Sequence, residues 1–287
     1  MLRAMARHIA RPRVRCFGMG KRFLRGKVGL EIGGPSSIFA RHGLFPIYPL
    51  ISRLDNCNFS HATIWEGNLT AGPTFRYDKK HAPGHQYILE ATALEPIKSE
   101  SYDFVLSSHT LEHIANPLRA LSEWKRVLKG NGILVLVVPH RDGTFDHRRP
   151  VTPLGHLIQD FEGDTTEDDL THLPEILALH DLSLDPEAGA LETFKERSAR
   201  NSENRCLHHH VFDTRSTARL IDHMALKIHA VEAAPPFHIF VIAEKQEEAS
   251  LPDNHTFLSD QAEYYRRSPF ASDRAPIIYP AARHSRA

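Results

Sequence analysis

Two glycines, Gly33 and Gly34, follow the apolar run Val28-Gly29-Leu30-Glu31-Ile32, and an acid, Asp55, stands about one strand-helix unit further along. Glycines let a backbone approach a bulky ligand with no Cβ in the way. Open α/β sheets bind ligands in the crevice beyond the C-terminal ends of their strands, and an acid at this spacing accepts hydrogen bonds from a ribose diol. The pattern therefore points to a nucleoside-containing ligand. A pyrophosphate is poorly served, because Gly33-Gly34-Pro35-Ser36-Ser37-Ile38 lacks the third glycine of G-x-G-x-x-G. On its own the glycine pair is equally compatible with a plain tight turn.

Other candidates are histidines and acids. His140 follows the run Ile133 to Pro139, with Asp142 and Asp146 just beyond it, at the rim where an acceptor should enter; the alternative is an exposed polar loop. In Leu111-Glu112-His113-Ile114 the apolar residues face a core, while Glu112 and His113 either fix the loop or position a substrate. On an extended segment His208 and His210 share one side and His209 takes the other. With His147, His156 or His172 and Asp142 or Asp146 they would assemble a metal site. A polar strand lining a pocket accounts for them better, and no metal is expected.

The elements that must hold these groups are legible as apolar runs separated by helical stretches, the signature of a parallel sheet with crossover helices. Tyr102 to Ser107 reads as a strand. Asn116-Pro117 opens a helix with an amide-bearing cap and proline at the first position, and Gly130 stands where a left-handed cap is wanted. Ile133 to Val138 is a strand apolar on both faces, completing a right-handed βαβ unit. Val28 to Ile32 and Gln86 to Leu89 read as further strands, and a short strand ends near Asp55. Residues 141–205 show no strand periodicity and read as an insertion of helices and loops, long enough for a substrate-selecting cap. A helix capped by Asp213 or Thr214 and running through Met224 precedes strands at Lys227 to Val231 and His238 to Ala243, separated by Pro235-Pro236. The expected architecture is a Rossmann-like, doubly wound, mostly parallel sheet of about seven strands with an antiparallel C-terminal edge. The expected boundaries are a basic leader (1–27), the catalytic domain (28–245, with the cap at 141–205) and a tail (246–287).

Composition sets the outer limits. The 287 residues carry 35 Lys and Arg against 35 Asp and Glu, which argues against a dedicated nucleic-acid binder. Residues 1–27 nevertheless hold nine Lys and Arg and no acid. They read as a solvated leader, an arm touching phosphate or anionic lipid, or a transit peptide. Three widely spaced cysteines fit a reducing, cytoplasmic setting. No run approaches the roughly 20 apolar residues that span a bilayer.

Four motifs in order, Leu30 to Ser37, Glu90-Ala91-Thr92, Tyr102 to His113 and Trp124 to Gly132, resemble the class I S-adenosylmethionine-dependent methyltransferases, in particular their small-molecule branch of type 11. The likeness covers residues 28–140, with a weaker echo at 214–243. It implies S-adenosylmethionine as cofactor, with Glu31, Gly33 and Gly34 facing its methionine part and Asp55 its ribose. Glu90, Ala91 and Thr92 would border the adenine, and Ser107 to His109 would close over the cofactor. Pro35 replaces the second glycine of the usual G-x-G, and Glu90 stands where a shorter Asp is usual. The acceptor is expected to be a polar small molecule such as a sugar or glycan hydroxyl, with His140, Asp142 and His113 as catalytic candidates. Two readings of other kinds compete: a metal-assisted hydrolase built on the histidines, and a cofactor-binding protein without turnover.

Overall fold

The structure is a computed structural model and describes residues 13–247 and 251–275. Its strands are β1 (Val28–Ile32), β2 (Arg53–Asn58), β3 (Ala62–Thr63), β4 (Gly67–Asn68), β5 (Gly72–Phe75), β6 (Gly84–Ile88), β7 (Tyr102–Ser108), β8 (Leu128–Pro139), β9 (Leu226–Ala234) and β10 (His238–Lys245). Eight of them form one sheet in the order β5-β6-β2-β1-β7-β8-β10-β9, while β3 and β4 make a separate hairpin. From β6 to β8 the strands run parallel.

Two strands run antiparallel to the rest: β5 at the far edge, and β10, which lies one place in from the other edge, between β8 and β9. Burial explains the placement. Six consecutive residues of β10 are buried, whereas β9 has exposed or half-buried positions through its middle; a strand apolar on both faces belongs inside. The eighth strand, β5, escapes sequence reading because it contains Pro73, which is tolerated at an edge where no ladder donor is needed.

The helices are α1 (Phe17–Leu24), α2 (Pro117–Val127), α3 (Leu154–Glu162), α4 (Leu173–Leu179), α5 (Leu191–Ala199), α6 (Asn201–Asn204), α7 (Thr214–His223), α8 (His255–Leu258), α9 (Glu263–Arg267) and α10 (Ala271–Arg274). The Asn116 side chain caps α2 by accepting from Arg119 N, and α2 buries Leu118, Leu121, Trp124 and Val127 against one face of the sheet. Asp213 and Ser216 cap α7 reciprocally, and α7 packs on the same face. The opposite face is covered by α1 and by Phe39, Phe45 and Tyr48, with Phe45 stacked on Phe240 of β10. None of the described helices is long and apolar enough to cross a membrane.

Two local expectations need correcting. Gly130 is not a left-handed cap: β8 begins at Leu128, and Asn131 takes the positive φ of 58°. Residues 13–27 are not a solvated leader, since Val14, Cys16, Phe17 and Leu24 are buried and Arg15 pairs with Glu232; residues 1–12 lie outside the described residues. The described part of the tail packs on the body through Tyr264, Tyr265 and Phe270.

Candidate functional site

A cavity of about 550 Å³ opens where β1, β2, β6, β7 and β8 end, within the range that holds a cofactor-sized ligand. Gly33 and Gly34 form its floor with φ of +76° and +82°. A Cβ on Gly34 would stand 2.4 Å from Glu31 Oε1, so both the backbone and the space demand glycine. Glu31 stands behind this turn, not among the lining residues. Its carboxylate is buried and accepts from the Tyr48 hydroxyl at 2.7 Å and from Ser36 N at 3.1 Å. Burial pushes the Glu31 carboxyl up to about 8 despite those hydrogen bonds.

The expected ribose acid is not in this cavity. Asp55 lies mid-strand, pairing in register with Leu30, and β2 continues to Asn58. Its carboxylate accepts from the Arg53 guanidinium, the Tyr102 hydroxyl and His85 N. Asn58 and Phe59 line the cavity instead. The Asn58 amide lies 3.4 Å from the Gly34 carbonyl and 3.0 Å from Asn56 Oδ1, tying the end of β2 to the glycine turn. The only sequence signal for Asn58 was strand length, and the irregular run around Asp55 concealed it.

Glu90 and Ala91 line the wall and Thr92 does not. Glu90 accepts from Arg205 at 2.7 Å, and the same guanidinium reaches Glu167 at 2.6 Å, so the cap closes this side with an ion-pair bridge. From β7 it is Ser108 and His109, not the buried Ser107, that reach the cavity. His109 has a φ of +52°, and its Nε2 lies 2.8 Å from His238 Nδ1.

At the far end stand Glu112, His113 and His208, all lining the cavity. Glu112 is buried; Oε1 is 3.4 Å from His109 Nδ1, and Oε2 has no hydrogen-bond partner. His113 Nδ1 lies 3.0 Å from the Leu207 carbonyl, which makes it the donor. Burial, aided by His208, holds His113 down at about 4, so it is neutral at ordinary pH. His208 Nδ1 is 2.5 Å from Asp146 Oδ2. Asp146 is in turn bound at 2.9 Å by the buried Arg149, which also donates to the carbonyls of His208 and His209. Burial works against the Asp146 carboxylate, but His208 and Arg149 outweigh it and hold the group at about 2. For His208 burial alone would lower the imidazole, and Asp146 overrides it, leaving it raised.

Two of the three catalytic candidates lie elsewhere. His140 is fully buried, stacked on Phe270 at 4.0 Å with Nε2 3.2 Å from Asp273 Oδ1. Asp142 accepts from Ser272 N. Both bind the tail and neither lines the cavity. His113 alone does, joined by Glu112 and His208; reading the three consecutive histidines as a pocket-lining strand was the available signal for the latter.

Residues 63–136 match the family model of a methyltransferase domain, about a quarter of the chain. An uncharacterised protein of Methanocaldococcus jannaschii is 45% identical over 47 residues, 16% of this chain and 20% of that relative. The chain thus spans about a fifth of the length of the curated relative it matches. Among solved structures it is similar to an S-adenosylmethionine-dependent methyltransferase of Methanosarcina mazei, at 17% identity over 80% of this chain and 98% of the other, with a TM-score of 0.44. A second, from Aquifex aeolicus, is 11% identical over 79% of this chain and 86% of the other, with a TM-score of 0.38. Residues 63–136 thus carry the match to a methyltransferase domain, set in a mostly parallel sheet whose first strand closes on the paired glycines Gly33 and Gly34.

Proposed function

We propose that the chain methylates a hydroxyl of a polar small molecule, a sugar or glycan terminus, with His208 as general base. The observation that carries this reading is the pairing of His208, which lines the cavity, with the buried Asp146 behind it. With Nδ1–H donated to Asp146, Nε2 is the ring nitrogen left to accept a proton, and the imidazole and its orienting carboxylate form a base pair suited to near-neutral pH.

The cofactor supplies an electrophilic methyl group on a sulfonium, which leaves little covalent chemistry to the protein. The glycine turn and the Asn58 amide would hold its methionine and ribose parts, and Glu90, Ala91 and Ser108 would border its base. His208 removes the acceptor proton at Nε2 as the oxygen becomes nucleophilic. His113 and Glu112 hydrogen-bond neighbouring hydroxyls, and the Arg205 bridge to Glu90 and Glu167 keeps water out. Trp65, Phe59 and Phe145 add apolar faces to the same cavity, which suits a ring with one polar edge and one apolar face. Three buried, unpaired cysteines agree with a cytoplasmic setting.

Purified protein incubated with S-adenosylmethionine and a panel of sugars, polyols and apolar phenols tests the proposal. Methyl transfer to hydroxylated sugars is expected, and transfer confined to apolar acceptors overturns it. A second reading rests on one observation: ligand atoms of Glu112, His113 and His208 lie within 4.8 Å of one another, so the trio could hold a divalent cation against the acceptor. Turnover that survives complete chelation excludes that reading.

A further inference from the structure

Two residues along from His208, His210 joins a different group. His156 and Asp160 sit one turn apart on α3, and His172 immediately precedes α4. One ring nitrogen from each of His156, His172 and His210 lies within 4.8 Å of the other two. His156 Nε2 and His172 Nε2 are 3.0 Å apart. Asp160 Oδ2 is 3.5 Å from His156 Nε2 and 3.8 Å from His210 Nε2. Four ligands arranged tetrahedrally at about 2.0–2.1 Å from a zinc ion stand about 3.3–3.4 Å from one another, and the 3.0 and 3.5 Å separations about His156 Nε2 bracket that edge.

Hydrogen bonding leaves the group incomplete. Asp160 Oδ1 takes the Thr165 hydroxyl, but buried Oδ2 has no hydrogen-bond partner, and neither has His210 Nδ1. His210 donates Nε2–H to the Ala115 carbonyl at 3.1 Å, which leaves Nδ1 as the nitrogen free to bind an ion. Unpartnered polar atoms at such depth are costly, and a shared cation is the group that satisfies several at once. Three imidazoles and one carboxylate suit zinc; calcium and magnesium require oxygen ligands. The His156 side chain is 33% exposed, which gives an ion a way in.

The geometry points to a zinc ion bound by His156, Asp160, His172 and His210. It joins α3, the start of α4 and the segment leading to α7 at one point, outside the methyl-transfer cavity, of whose wall none of the four is part. The same segment carries His208, so the ion fixes the backbone from which that side chain projects. The site stands independently of the acceptor reading.

The test uses the full chain, stripped by chelator, dialysed, and titrated with zinc while bound metal and Tm are measured. One tightly bound zinc per chain is expected, with a Tm that rises on binding. His156→Ala and Asp160→Asn should lose that ion while still binding S-adenosylmethionine, whereas His113→Ala should keep it. Wild-type protein loaded with cobalt(II) should show the intense visible absorption of a tetrahedral site, a readout that needs no variant to fold. The proposal is overturned by absence of zinc binding, by an octahedral cobalt spectrum, or by zinc that survives both substitutions yet disappears in His113→Ala.

Discussion

The two ends of the cavity are built from different materials. At the end near β1 the wall is mostly glycine, serine and asparagine, with Glu66 as its acid, while Glu31 is turned inward to Tyr48 and Ser36. At the other end the wall is dense in ionisable groups, with Glu112, His113, His208, Glu167 and Arg205. The difference fits the proposed reaction, in which a sulfonium donor carries its own reactivity and needs holding, which backbone and amide groups do, while an acceptor oxygen must lose a proton, which requires a base with a tuned pKa.

The comparison is broken most severely at His208. His208→Ala should lower turnover by about 10²–10⁴-fold, the usual contribution of a general base, with S-adenosylmethionine affinity by calorimetry unchanged; loss of affinity with intact turnover would invert the two ends. Because Asp146 raises His208, the rate should climb with pH as His208 deprotonates, and Asp146→Asn should move that limb to lower pH.

A smaller effect is expected at the glycine turn. Gly34→Ala places a Cβ against Glu31 on a left-handed backbone. The strain is about 1–3 kcal/mol, so cofactor affinity should fall by about 5–150-fold, measured by the same titration. Asn58→Ala should weaken the cofactor by about tenfold or less, the worth of one net hydrogen bond. Asp55→Asn should leave that affinity unchanged and lower Tm, since it loosens the Arg53, His85 and Tyr102 contacts. A cofactor defect confined to Asp55→Asn would return the ribose contact to the middle of β2.

The mildest effect concerns Glu31. Its folded pKa of about 8 lies above the ordinary 4.5, so folding takes up a proton between those values and stability declines as pH rises through that window. Comparing Tm of wild type and Glu31→Gln from pH 5 to 9 should show the wild type losing ground toward high pH. A constant difference would place the charge in better solvation than the burial indicates.

How far residues could be placed from sequence depended on whether local order alone decided their position. The βαβ unit from Tyr102 to Val138 was legible because its signals are local: a cap at Asn116, Pro117 at the first helical turn, and a strand apolar on both faces. Gly33 and Gly34 were legible for the same reason. Asp55 was misplaced by three residues because strand length is set by pairing with β1 and β6, which no local pattern records. His140 and Asp142 were misassigned because their partners, Asp273 and Ser272, lie some 130 residues away in a tail without periodicity. The expected alternation, with His208 and His210 on one side, does not hold: the segment is not a strand, His208 lines the cavity beside Asp146, and His210 lies outside it among His156, His172 and Asp160.

The contact of His140 with Asp273 and Phe270 also bears on how this protein is best handled. Asn254 receives the Ile228 amide and Tyr264 rests against β9, so residues 251–275 act as a brace across the last strands rather than as an appendage. Cutting the chain after residue 247 would strip an aromatic cover and a carboxylate from an imidazole at the mouth of the fifth parallel strand. An affinity tag attached beyond residue 275 respects that brace, whereas one replacing it would uncover His140 and the last strands.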